Sequence, residues 1–461
     1  MKIYNSLQKK IEEFVPINPR DVHMYACGPT VYQRAHIGNF RTYTVVDLLH
    51  RILIANDYGV NYIMNITDVG HLTGDNEGDA SSGEDRMEAA AKKSSQSIWN
   101  IANHFTELFI NDYKLLSLLP PNNFVRATDH IKDQIELISE LEKKGYTYKT
   151  SDGIYFDILK SPHYGKLSTL DSIKAGARVK INKEKKNERD FALWKFSPRN
   201  EKRQMEWDSP WGIGFPGWHI ECSAMSLKYL GPTLDIHCGG EDLRSTHHPN
   251  EIAQSEAATG KLFARFWVHV SFMLVDSRKM SKSLGNTYTI DQIKEKGFDP
   301  SVLKYFYYTG HYRKQINLTE TALEGARVAL LKLRNIIQEA TEISDSNLSE
   351  PYYKKFLEII SDDLNSPEAI AYIWSVAKDD TLSQNQKAAI IIKCNEVLGL
   401  ELITNDHIED LPQQIKDLAQ SRIEARRKKS WPASDKLRNQ IEKLGYIVSD
   451  SDQGQLIKRK Q

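Results

Sequence analysis

Cysteine is scarce in this chain, and two features that would place it outside the cytoplasm are missing. The 461 residues include four cysteines, too few to build a disulfide framework in a chain of this length. No run of about 18 apolar residues occurs, so no membrane span is predicted. The opening "MKIYNSLQKK" lacks the apolar core of a signal peptide. These absences predict a cytoplasmic protein that makes no contact with a membrane.

An excess of charge of one sign is also missing. The 61 Lys and Arg residues balance 61 Asp and Glu residues, so any binding to nucleic acid requires a local surplus of positive charge. The last 41 residues provide one, because they hold eleven Lys and Arg against five Asp and Glu. Both an ordinary basic surface helix and a nucleic-acid contact are compatible with that surplus.

The order of strands and helices that the sequence does contain indicates an α/β protein. Near the start, a strand "VHMYACG", a loop, a helix from about 39 to 56 and a strand "VNYIMNIT" follow one another, as in a βαβ unit of a parallel sheet. A similar unit runs from "TLDIHCGG" to "HHPNEIAQS", and "FWVHVSFMLVD" is predicted as a further strand. From about Thr319 onward strand signals disappear, and helices with apolar stripes are predicted.

Two short motifs indicate contacts with phosphate. In "AHIGN", Gly38 lies between a strand and a helix, where the helix N-terminus offers unpaired N–H groups and His36 can donate to a phosphate oxygen. Alone, this motif is more often a surface histidine in a loop. In "KMSKS", Lys279 and Lys282 lie three positions apart with serine hydroxyls between them. The position of this second motif after a late strand favours nucleotide binding.

The motifs occur in an order that resembles one family. The strings that carry the resemblance are "MYACGPTVYQRAHIGN", "NITD", "RATDHI", "DFALWK", "PGWHIECSAMS", "DIHCGGEDL", "HHPNEIAQS", "KMSKSLGN" and "GHYRKQ". They follow one another along nearly the whole chain, and the series is similar to that of the cysteinyl-tRNA synthetases, a branch of the class I aminoacyl-tRNA synthetases. No single string is specific, but the concatenation is.

The resemblance implies a fold class and a domain organisation. The expected fold is α/β: a class I Rossmann-type catalytic domain with a parallel sheet and an insertion, then an α-helical bundle and a small basic C-terminal anticodon-binding region. We expect the catalytic domain at 1–310 with its insertion at about 115–205, the stem-contact and helical-bundle domain at 311–410, and the C-terminal region at 411–461. The insertion is short for an editing domain, so none is expected.

The resemblance also implies one zinc ion per chain, bound by Cys27, Cys222, His247 and Glu251. Spacing does not reveal this set, because Cys27 and Cys222 lie 195 positions apart, and a buried cysteine or histidine is more often a core residue. The chemistry is compatible, since His247 and Glu251 are four positions apart and share a helix face. Thiolate, imidazole and carboxylate are all ligands that Zn²⁺ accepts.

Two further cysteines and one proline are not expected to bind the ion. Cys238 replaces the family's usual glycine, and because its neighbour His237 faces the other way on a strand, Cys238 is predicted as a packed thiol rather than a spare ligand. Cys394, within "AAIIIKCNEVLGL", is predicted as a core residue. Pro249 is tolerated only in the first turn of a helix, so that helix is expected to begin near Thr246.

By the same resemblance, catalytic roles fall on His36, Asn39, Lys279 and Lys282. The ATP site comprises these four residues together with Gly38, Gly240 and Asp242. The cysteine site comprises Gly28, Thr67, Trp218 and His237.

Besides Cys238, one residue and one segment depart from the family pattern. The first motif usually ends in His, whereas here it ends in Asn39. Asn keeps a hydrogen-bond donor but is never cationic, so the loss is at most one charge-assisted contact, about 1–2 kcal/mol. The segment "GDNEGDASSGED" at 74–85 replaces the family's commoner continuation after "NITD". Its register does not fit an EF-hand, so a solvated loop is predicted.

The implied reaction has two steps and three substrates. The partners are ATP with Mg²⁺, L-cysteine and tRNA(Cys), and a monomer is expected. The carboxylate of cysteine attacks the α-phosphate of ATP and releases pyrophosphate, and the cysteinyl group then passes to the 3′ end of tRNA. Zinc would explain the rejection of serine, because an apolar pocket separates near-isosteres by only about 1–3 kcal/mol. A soft metal binds a thiolate far better than a hydroxyl.

Two other interpretations are open at this point. A cysteine ligase of mycothiol synthesis is similar in fold and zinc site but lacks a full anticodon-binding end, and the basic helical region from about 350 to 461 argues against it. A relative that binds nucleotide and zinc without catalysis is disfavoured by the presence of His36, Lys279 and Lys282. Charging of tRNA excludes the first, and cysteine-dependent exchange of pyrophosphate into ATP excludes the second.

Overall fold

The fold was taken from a computed structural model, which describes residues 1–70, 72, 85–162, 164–167, 183–198, 202–280, 285–341, 349–403, 412–427, 430–451 and 454–459. Lys282 and the acidic segment from Gly74 to Glu84 lie outside these residues. The chain divides into two compact units, Met1–Leu402 and Ile403–Gln461. Among the described helices, none combines the length and the apolar character needed to cross a lipid bilayer.

In chain order, the strands are β1 (Lys2–Asn5), β2 (Lys10–Glu13), β3 (Val22–Ala26), β4 (Val60–Ile66), β5 (Asn123–Arg126), β6 (Thr147–Lys149), β7 (Gly153–Phe156), β8 (Phe191–Phe196), β9 (Gly214–Pro216), β10 (Leu234–Gly240), β11 (Ala264–Val270), β12 (Met273–Val275), β13 (Arg278–Lys279), β14 (Ile316–Leu318), β15 (Tyr446–Ser451) and β16 (Gly454–Arg459). The α-helices are α1 (Ile37–Ala55), α2 (Arg86–Ser94), α3 (Ile98–Leu115), α4 (Ile131–Lys143), α5 (Trp218–Leu230), α6 (His247–Thr259), α7 (Ile290–Glu295), α8 (Pro300–Tyr308), α9 (Glu320–Gln338), α10 (Ser349–Ile360), α11 (Ser366–Ala377), α12 (Gln384–Leu398), α13 (Gln413–Arg427) and α14 (Trp431–Lys443).

A five-stranded parallel sheet forms the centre of the first unit, in the order β11-β10-β3-β4-β5. Met24 in β3 lies opposite Tyr62 in β4 and Ile236 in β10, and all three side chains are fully buried. Burial on both faces is expected of parallel strands that are covered by helices. The predicted α/β class with a parallel sheet is confirmed, and the carboxyl ends of its strands form one edge, where ligands bind in such folds.

One strand prediction was wrong in its extent. The stretch "FWVHVSFMLVD" forms two strands, β11 and β12, with a break at Ser271 and Phe272. The break has a physical cause, because the N–H of Ser271 donates to the carbonyl of Tyr312 and both carbonyls at the break accept from Arg41. After the break, β12 joins a separate three-stranded sheet in the order β13-β12-β14.

The middle of the chain adds a small antiparallel sheet in the order β6-β7-β8-β9. Its buried side chains, Ile154, Phe156, Phe191 and Trp194, form a second core with α4 and α5. Strand β5, which falls inside the insertion expected at about 115–205, is instead the edge strand of the parallel sheet. Strand β9 lies beyond the expected end of that insertion.

Helices α8 to α12 complete the first unit, and three of them, α8, α10 and α12, pack against α1. A buried ion pair connects the two parts, since Nζ of Lys304 on α8 lies 3.1 Å from Oδ2 of Asp47 on α1. Lys304 also donates to the carbonyl of Ser117 at 3.1 Å. Cys394 on α12 is fully buried in the core, as predicted.

The second unit contains α13, α14 and an antiparallel pair of strands, β15 and β16. The expectation that strand signals end near Thr319 was therefore wrong for this region. The pair is short, and one buried side chain that the structure describes in it is that of Val448. A single two-stranded hairpin is a short element, so the apolar alternation that would predict it in a sequence is a weak signal.

Candidate metal and nucleotide site

Four residues with metal-ligating side chains meet at the carboxyl edge of the parallel sheet. Cys27 follows β3 directly, Cys222 lies on α5, and His247 and Glu251 lie one turn apart on α6. One donor atom from each lies within 4.8 Å of the others, and all four residues are buried. The structure thus brings together the four residues that the family resemblance implied.

The local structure explains how α6 supplies two of these donors. The helix begins at His247 with Thr246 as its N-cap, which confirms the start expected from Pro249. Pro249 lies in the first turn, where a missing N–H costs no intrahelical hydrogen bond. The spacing of four residues then directs His247 and Glu251 to the same side.

Glu251 is the most connected member of the cluster. Its Oε1 lies 3.1 Å from Nε2 of His247 and 3.7 Å from Sγ of Cys27. Its Oε2 lies 2.9 Å from Nε2 of His237 on β10. The other ring nitrogen of His247, Nδ1, lies 2.8 Å from Nδ1 of His219, so Nε2 of His247 faces the cluster.

Burial and mutual contacts set the protonation of the cluster. Burial opposes ionisation of Glu251, but His237 and His247 lower its pKa to about 2. Burial and the contact with Cys222 raise the pKa of Cys27 well above its ordinary value. The pKa of Cys222 is lowered despite burial, because the Cys27 thiol donates to it and His247 lies beside it. Against its own burial, His247 has a pKa raised to about 10 by Glu251 and Cys222. These shifts favour the ionised forms of Glu251 and Cys222 and the protonated forms of His247 and Cys27.

These donors fit Zn²⁺ in kind and in surroundings. Two sulfurs, one imidazole nitrogen and one carboxylate oxygen converge in a buried site, and zinc binds such sets with four ligands. The contacts of His219 with His247 and of His237 with Glu251 resemble the outer contacts that orient ligands in zinc proteins. Cys238 is fully buried in the core and belongs to neither donor group found among the described residues, as predicted.

Sequence reasoning assigned His237 to the amino-acid site and missed His248, and both histidines enlarge the cluster. A second group of close donors comprises Cys27, His237, His248 and Glu251. Nε2 of His248 lies 3.5 Å from Sγ of Cys27, and Nδ1 of His248 lies 2.8 Å from Nε2 of His269. Because the two groups share Cys27 and Glu251, they form one site with six donors. The sequence signal available was the "HH" pair in "HHPNEIAQS", but adjacent helical residues do not share a face.

On the nucleotide side, His36 and Asn39 form a reciprocal cap at the start of α1. The N–H of Asn39 donates to Nδ1 of His36 at 3.2 Å, and the N–H of His36 donates to Oδ1 of Asn39 at 3.0 Å. Because Nδ1 of His36 is an acceptor, the ring proton lies on Nε2. The cap thus fixes the tautomer in which His36 can donate to an anion in front of the helix.

The start of the "KMSKS" motif packs against the N-terminus of α1. A Cβ on Gly38 would lie 2.0 Å from Cε of Met280, so Met280 of "KMSKS" packs directly against Gly38. Lys279 ends β13, and its ammonium lies 5.2 Å from the centroid of the Phe272 ring. The structure therefore brings Lys279 to the same edge as His36, whereas Lys282 is outside the described residues.

The remaining nucleotide residues follow β10. A Cβ on Gly240 would lie 2.4 Å from Oδ1 of Asp242 and 3.7 Å from Oγ1 of Thr42 on α1. The absence of a side chain at Gly240 therefore leaves room for the Asp242 carboxylate beside the end of β10. Asp242 lies in a 3₁₀ helix, Glu241–Ser245, that leads into α6. This link joins the nucleotide side to the metal side.

Of the residues expected to bind the amino acid, Trp218 and His237 contact the donor cluster, and Gly28 follows Cys27 directly. The ring of Trp218 lies 4.3 Å from that of His247, and His237 contacts Glu251. Gly28 allows no side chain, because a Cβ there would lie 1.8 Å from the carbonyl oxygen of Asn65. The side chain of Asn65 in turn accepts from the N–H of Gly28 and donates to Thr67, which is buried.

Matches to known proteins extend along nearly the whole chain. Residues 13–328 match the family described as tRNA synthetases class I (C) catalytic domain, and residues 409–457 match the Cysteinyl-tRNA ligase anticodon binding domain. The chain is 43% identical over 459 residues to cysteine--tRNA ligase 1 of Burkholderia lata, covering 99% of this chain and 96% of that protein. It is 39% identical over 481 residues to the cysteine--tRNA ligase of Caldicellulosiruptor saccharolyticus, covering 100% of both.

A solved structure shares the fold at low sequence identity. It is the methionyl-tRNA synthetase of Mycobacterium tuberculosis bound by methionyl-adenylate, which is 13% identical with a TM-score of 0.56 and covers 83% of this chain and 90% of that chain. At that identity the likeness concerns the fold alone.

Proposed function

This chain belongs to the cysteine--tRNA ligase family of class I synthetases, and we propose that it selects L-cysteine through the buried donor cluster. Its substrates are those of the family: ATP, an amino acid and tRNA. The convergence of Cys27, Cys222, His247 and Glu251 carries the proposal, because two thiols, an imidazole and a carboxylate are the ligand types that zinc binds. The match of residues 409–457 to an anticodon binding domain favours tRNA over the amino sugar of a mycothiol-type ligase.

Zinc is the metal that the donor chemistry supports. Cys27, Cys222, His247 and Glu251 would hold it, and when bound it would offer the substrate thiolate a sulfur–metal bond that a serine hydroxyl does not match. Zinc ligands must be deprotonated, so Cys27 and His247 lose their protons on loading. Around the cluster, Trp218 covers His247 and His237 holds Glu251 in place.

Activation of cysteine needs charge neutralisation and positioning around the α-phosphate of ATP. The helix tip supplies the N–H groups of α1 and the Nε2–H of His36. Lys279, with Lys282 of the same motif, supplies cationic charge from the opposite side. Gly240 and Asp242 bind the ribose and adenosine region, and Mg²⁺ accompanies the phosphates. The cysteine carboxylate attacks the α-phosphate, pyrophosphate leaves, and cysteinyl-adenylate forms.

For transfer of the cysteinyl group, the tRNA must also be bound at its anticodon end, which lies far from the 3′ end that is charged. In the second unit, Trp431 is 54% exposed and the guanidinium carbon of Arg426 lies 5.5 Å from its ring centroid. An exposed ring beside a cation suits a stacked base and a phosphate. This surface is the proposed contact with the anticodon.

The experiment compares Cys222→Ser with Cys238→Ser. Both cysteines are buried at the same edge of the sheet, but Cys238 belongs to neither donor group in the described part of the chain. Metal analysis of the purified proteins is expected to find about one zinc per chain in the wild type and in Cys238→Ser, and much less in Cys222→Ser. Cysteine-dependent exchange of pyrophosphate into ATP should fall in parallel, and the preference for cysteine over serine should shrink.

Two results would contradict the proposal. Full zinc content in Cys222→Ser would show that the ion lies elsewhere, for example on His237 and His248. Loss of zinc with an unchanged preference for cysteine over serine would show that the cluster is structural only.

A further inference from the structure

Arg41 is a fully buried cation that contacts backbone carbonyls. It lies on α1, two residues after Asn39, and its side chain is 1% exposed. Nη1 donates to the carbonyl of Ser271 and, at 2.6 Å, to that of Phe272. Nη2 donates to the carbonyl of Lys314 at 2.6 Å and to that of His311 at 3.4 Å.

The burial of this charge is unusual because no carboxylate among the described residues pairs with it. Burial lowers the pKa of Arg41 to about 10. The charge interaction that opposes this shift comes from the hydroxyl of Tyr307 and not from a carboxylate. A buried cation without a counter-charge is costly, so its presence requires a compensating role or compensating dipoles. The dipoles of the four carbonyls that accept from Arg41 compensate its charge, and the positions of these carbonyls in the fold indicate what Arg41 does.

The carbonyls belong to two segments, one before and one after the "KMSKS" motif in the chain. Ser271 and Phe272 form the break between β11 and β12, from which the chain leads to Lys279 on β13. His311 and Lys314 lie in the loop before β14, which pairs with β12 in parallel. Arg41 therefore ties the first helix to the base of the three-stranded sheet that ends in Lys279.

A direct chain of contacts connects Arg41 to the lysine. The carbonyl of Phe272 accepts from Arg41 at 2.6 Å, and the ring of the same residue lies 5.2 Å from the ammonium of Lys279. A cation over an aromatic face is attracted by the ring, so the position of Phe272 biases the position of the ammonium. A shift of Phe272 would move Lys279 relative to the tip of α1.

We propose that Arg41 is a positioning residue that fixes Lys279 relative to the tip of α1 through Phe272. This inference rests on the proposed role of Lys279 in ATP activation. Arg41 touches neither substrate nor reacting atoms, and it acts by holding the two phosphate-binding motifs at a set separation. Lysine is not equivalent here, because a single ammonium cannot span carbonyls in two segments as the guanidinium fork does.

The test is a double-mutant cycle of Arg41→Lys and Lys279→Ala in the full chain. Exchange of pyrophosphate into ATP is measured, and kcat is divided by the concentration of active sites from an adenylate burst. Arg41→Lys is expected to lower kcat by roughly 10- to 100-fold, since a misplacement of about 1 Å costs about that much. The KM for cysteine should stay within about twofold, because the amino-acid pocket is not touched. The double variant should lose no more than about threefold beyond Lys279→Ala, because residues that act through one another are not additive.

A matched control separates positioning from a general loss of stability. Arg334 is also buried and bridges segments, because it donates to the carbonyl of Glu401 and to Oγ of Ser301, both at 2.9 Å. Arg334→Lys should lower the thermal midpoint without lowering kcat per active site. If Arg41→Lys does not fold, Phe272→Leu replaces it in the same cycle, because it removes the ring beneath the ammonium.

Three results would overturn the inference. The first is a per-site kcat of Arg41→Lys within about threefold of the wild type, and the second is an equal loss in Arg334→Lys. The third is a double variant in which the two losses multiply. If Lys279→Ala itself keeps full activity, the proposed role of Lys279 fails, and that result is distinct from failure at Arg41 alone.

Discussion

The sulfur of Cys27 lies 3.7 Å from Oε1 of Glu251, although 224 positions separate the two residues. The contact joins the carboxyl end of β3 to the first turns of α6. An ion bound there would also take a ligand from α5, so it would cross-link three elements that the chain connects only through long segments. Binding of an ion at this cluster would therefore add to the stability of the first unit.

Removal of the metal should lower the thermal midpoint of the wild type. A ligand present at about a thousandfold excess over its Kd stabilises the folded state by about 4 kcal/mol. A chelator that removes the ion removes this stabilisation. Cys222→Ser lacks one ligand and should respond much less to the same chelator. Differential scanning calorimetry with and without chelator measures both shifts. Equal shifts in the two proteins would mean that the stabilising ion is bound outside the cluster.

Substitution of two glycines in the site should have different costs. A Cβ at Gly28 would lie 1.8 Å from the backbone oxygen of Asn65, whereas a Cβ at Gly38 would lie 2.0 Å from the end of the flexible Met280 side chain. Because a backbone atom in a packed sheet cannot move aside, Gly28→Ala is expected to lower the free energy of unfolding by about 3 kcal/mol. Gly38→Ala should cost less than about 1 kcal/mol. Denaturant unfolding measures both values, and a larger cost at Gly38 would contradict the geometry.

The sequence predicted the elements that local patterns specify. The helix after "AHIGN" and the start of α6 near Thr246 follow from capping and proline rules, and the structure has both. The break at Ser271 and Phe272 was not predictable, because it depends on hydrogen bonds from Arg41, which is 230 positions away from Ser271. Non-local contacts of this kind leave no periodic signal.

The candidate site shows the same division between local and non-local information. His247 and Glu251 share a helix face, so their proximity follows from spacing. The approach of Cys27 to Cys222 came from family resemblance, since neither spacing nor composition indicates it. The contact of His248 with Cys27 was missed because it depends on how α6 packs over β3, which the sequence pattern does not specify.

Asn39→His should leave activity within about tenfold of the wild type. Oδ1 of Asn39 caps the N–H of His36, so Nδ2 is the part of the side chain that can donate to phosphate. Histidine restores a cationic donor but loses the amide cap, and the two effects are each about 1–2 kcal/mol and opposite in sign. Exchange of pyrophosphate into ATP at saturating substrates is the measurement. A loss of several orders of magnitude would show that Asn39 makes a contact histidine cannot replace.

Lys304 should make stability rise with pH in the alkaline range. Burial lowers its pKa to about 8, despite Asp47, while Arg51 lowers it further and Glu401 raises it. In the unfolded chain the pKa is about 10.4, so between these values the unfolded state binds more protons and the free energy of unfolding rises with pH. The difference in unfolding free energy between the wild type and Lys304→Met should increase by about 2 kcal/mol from about pH 7.5 to about pH 9.5.

The control for this pH dependence is Lys228→Met. Lys228 is half-exposed and pairs with Asp133 at 2.7 Å, so its removal should give a difference that stays constant over the same range. Chemical denaturation at both pH values measures each difference. A Lys304 difference that is flat or falls with pH would show that the ammonium is better solvated by Asp47 and Ser117 than its burial implies.

Trp431→Ala should weaken tRNA binding without affecting the activation of cysteine. Stacking of a base on an aromatic ring contributes about 1–3 kcal/mol, so the Kd for tRNA is expected to rise roughly 10- to 100-fold. Exchange of pyrophosphate into ATP needs no tRNA and should stay within about twofold. Trp431→Phe retains a stacking ring beside Arg426 and should bind tRNA nearly as well as the wild type. Equal weakening in the alanine and phenylalanine variants would point to the indole N–H as the contact, and unchanged affinity in both would move the tRNA surface away from α14.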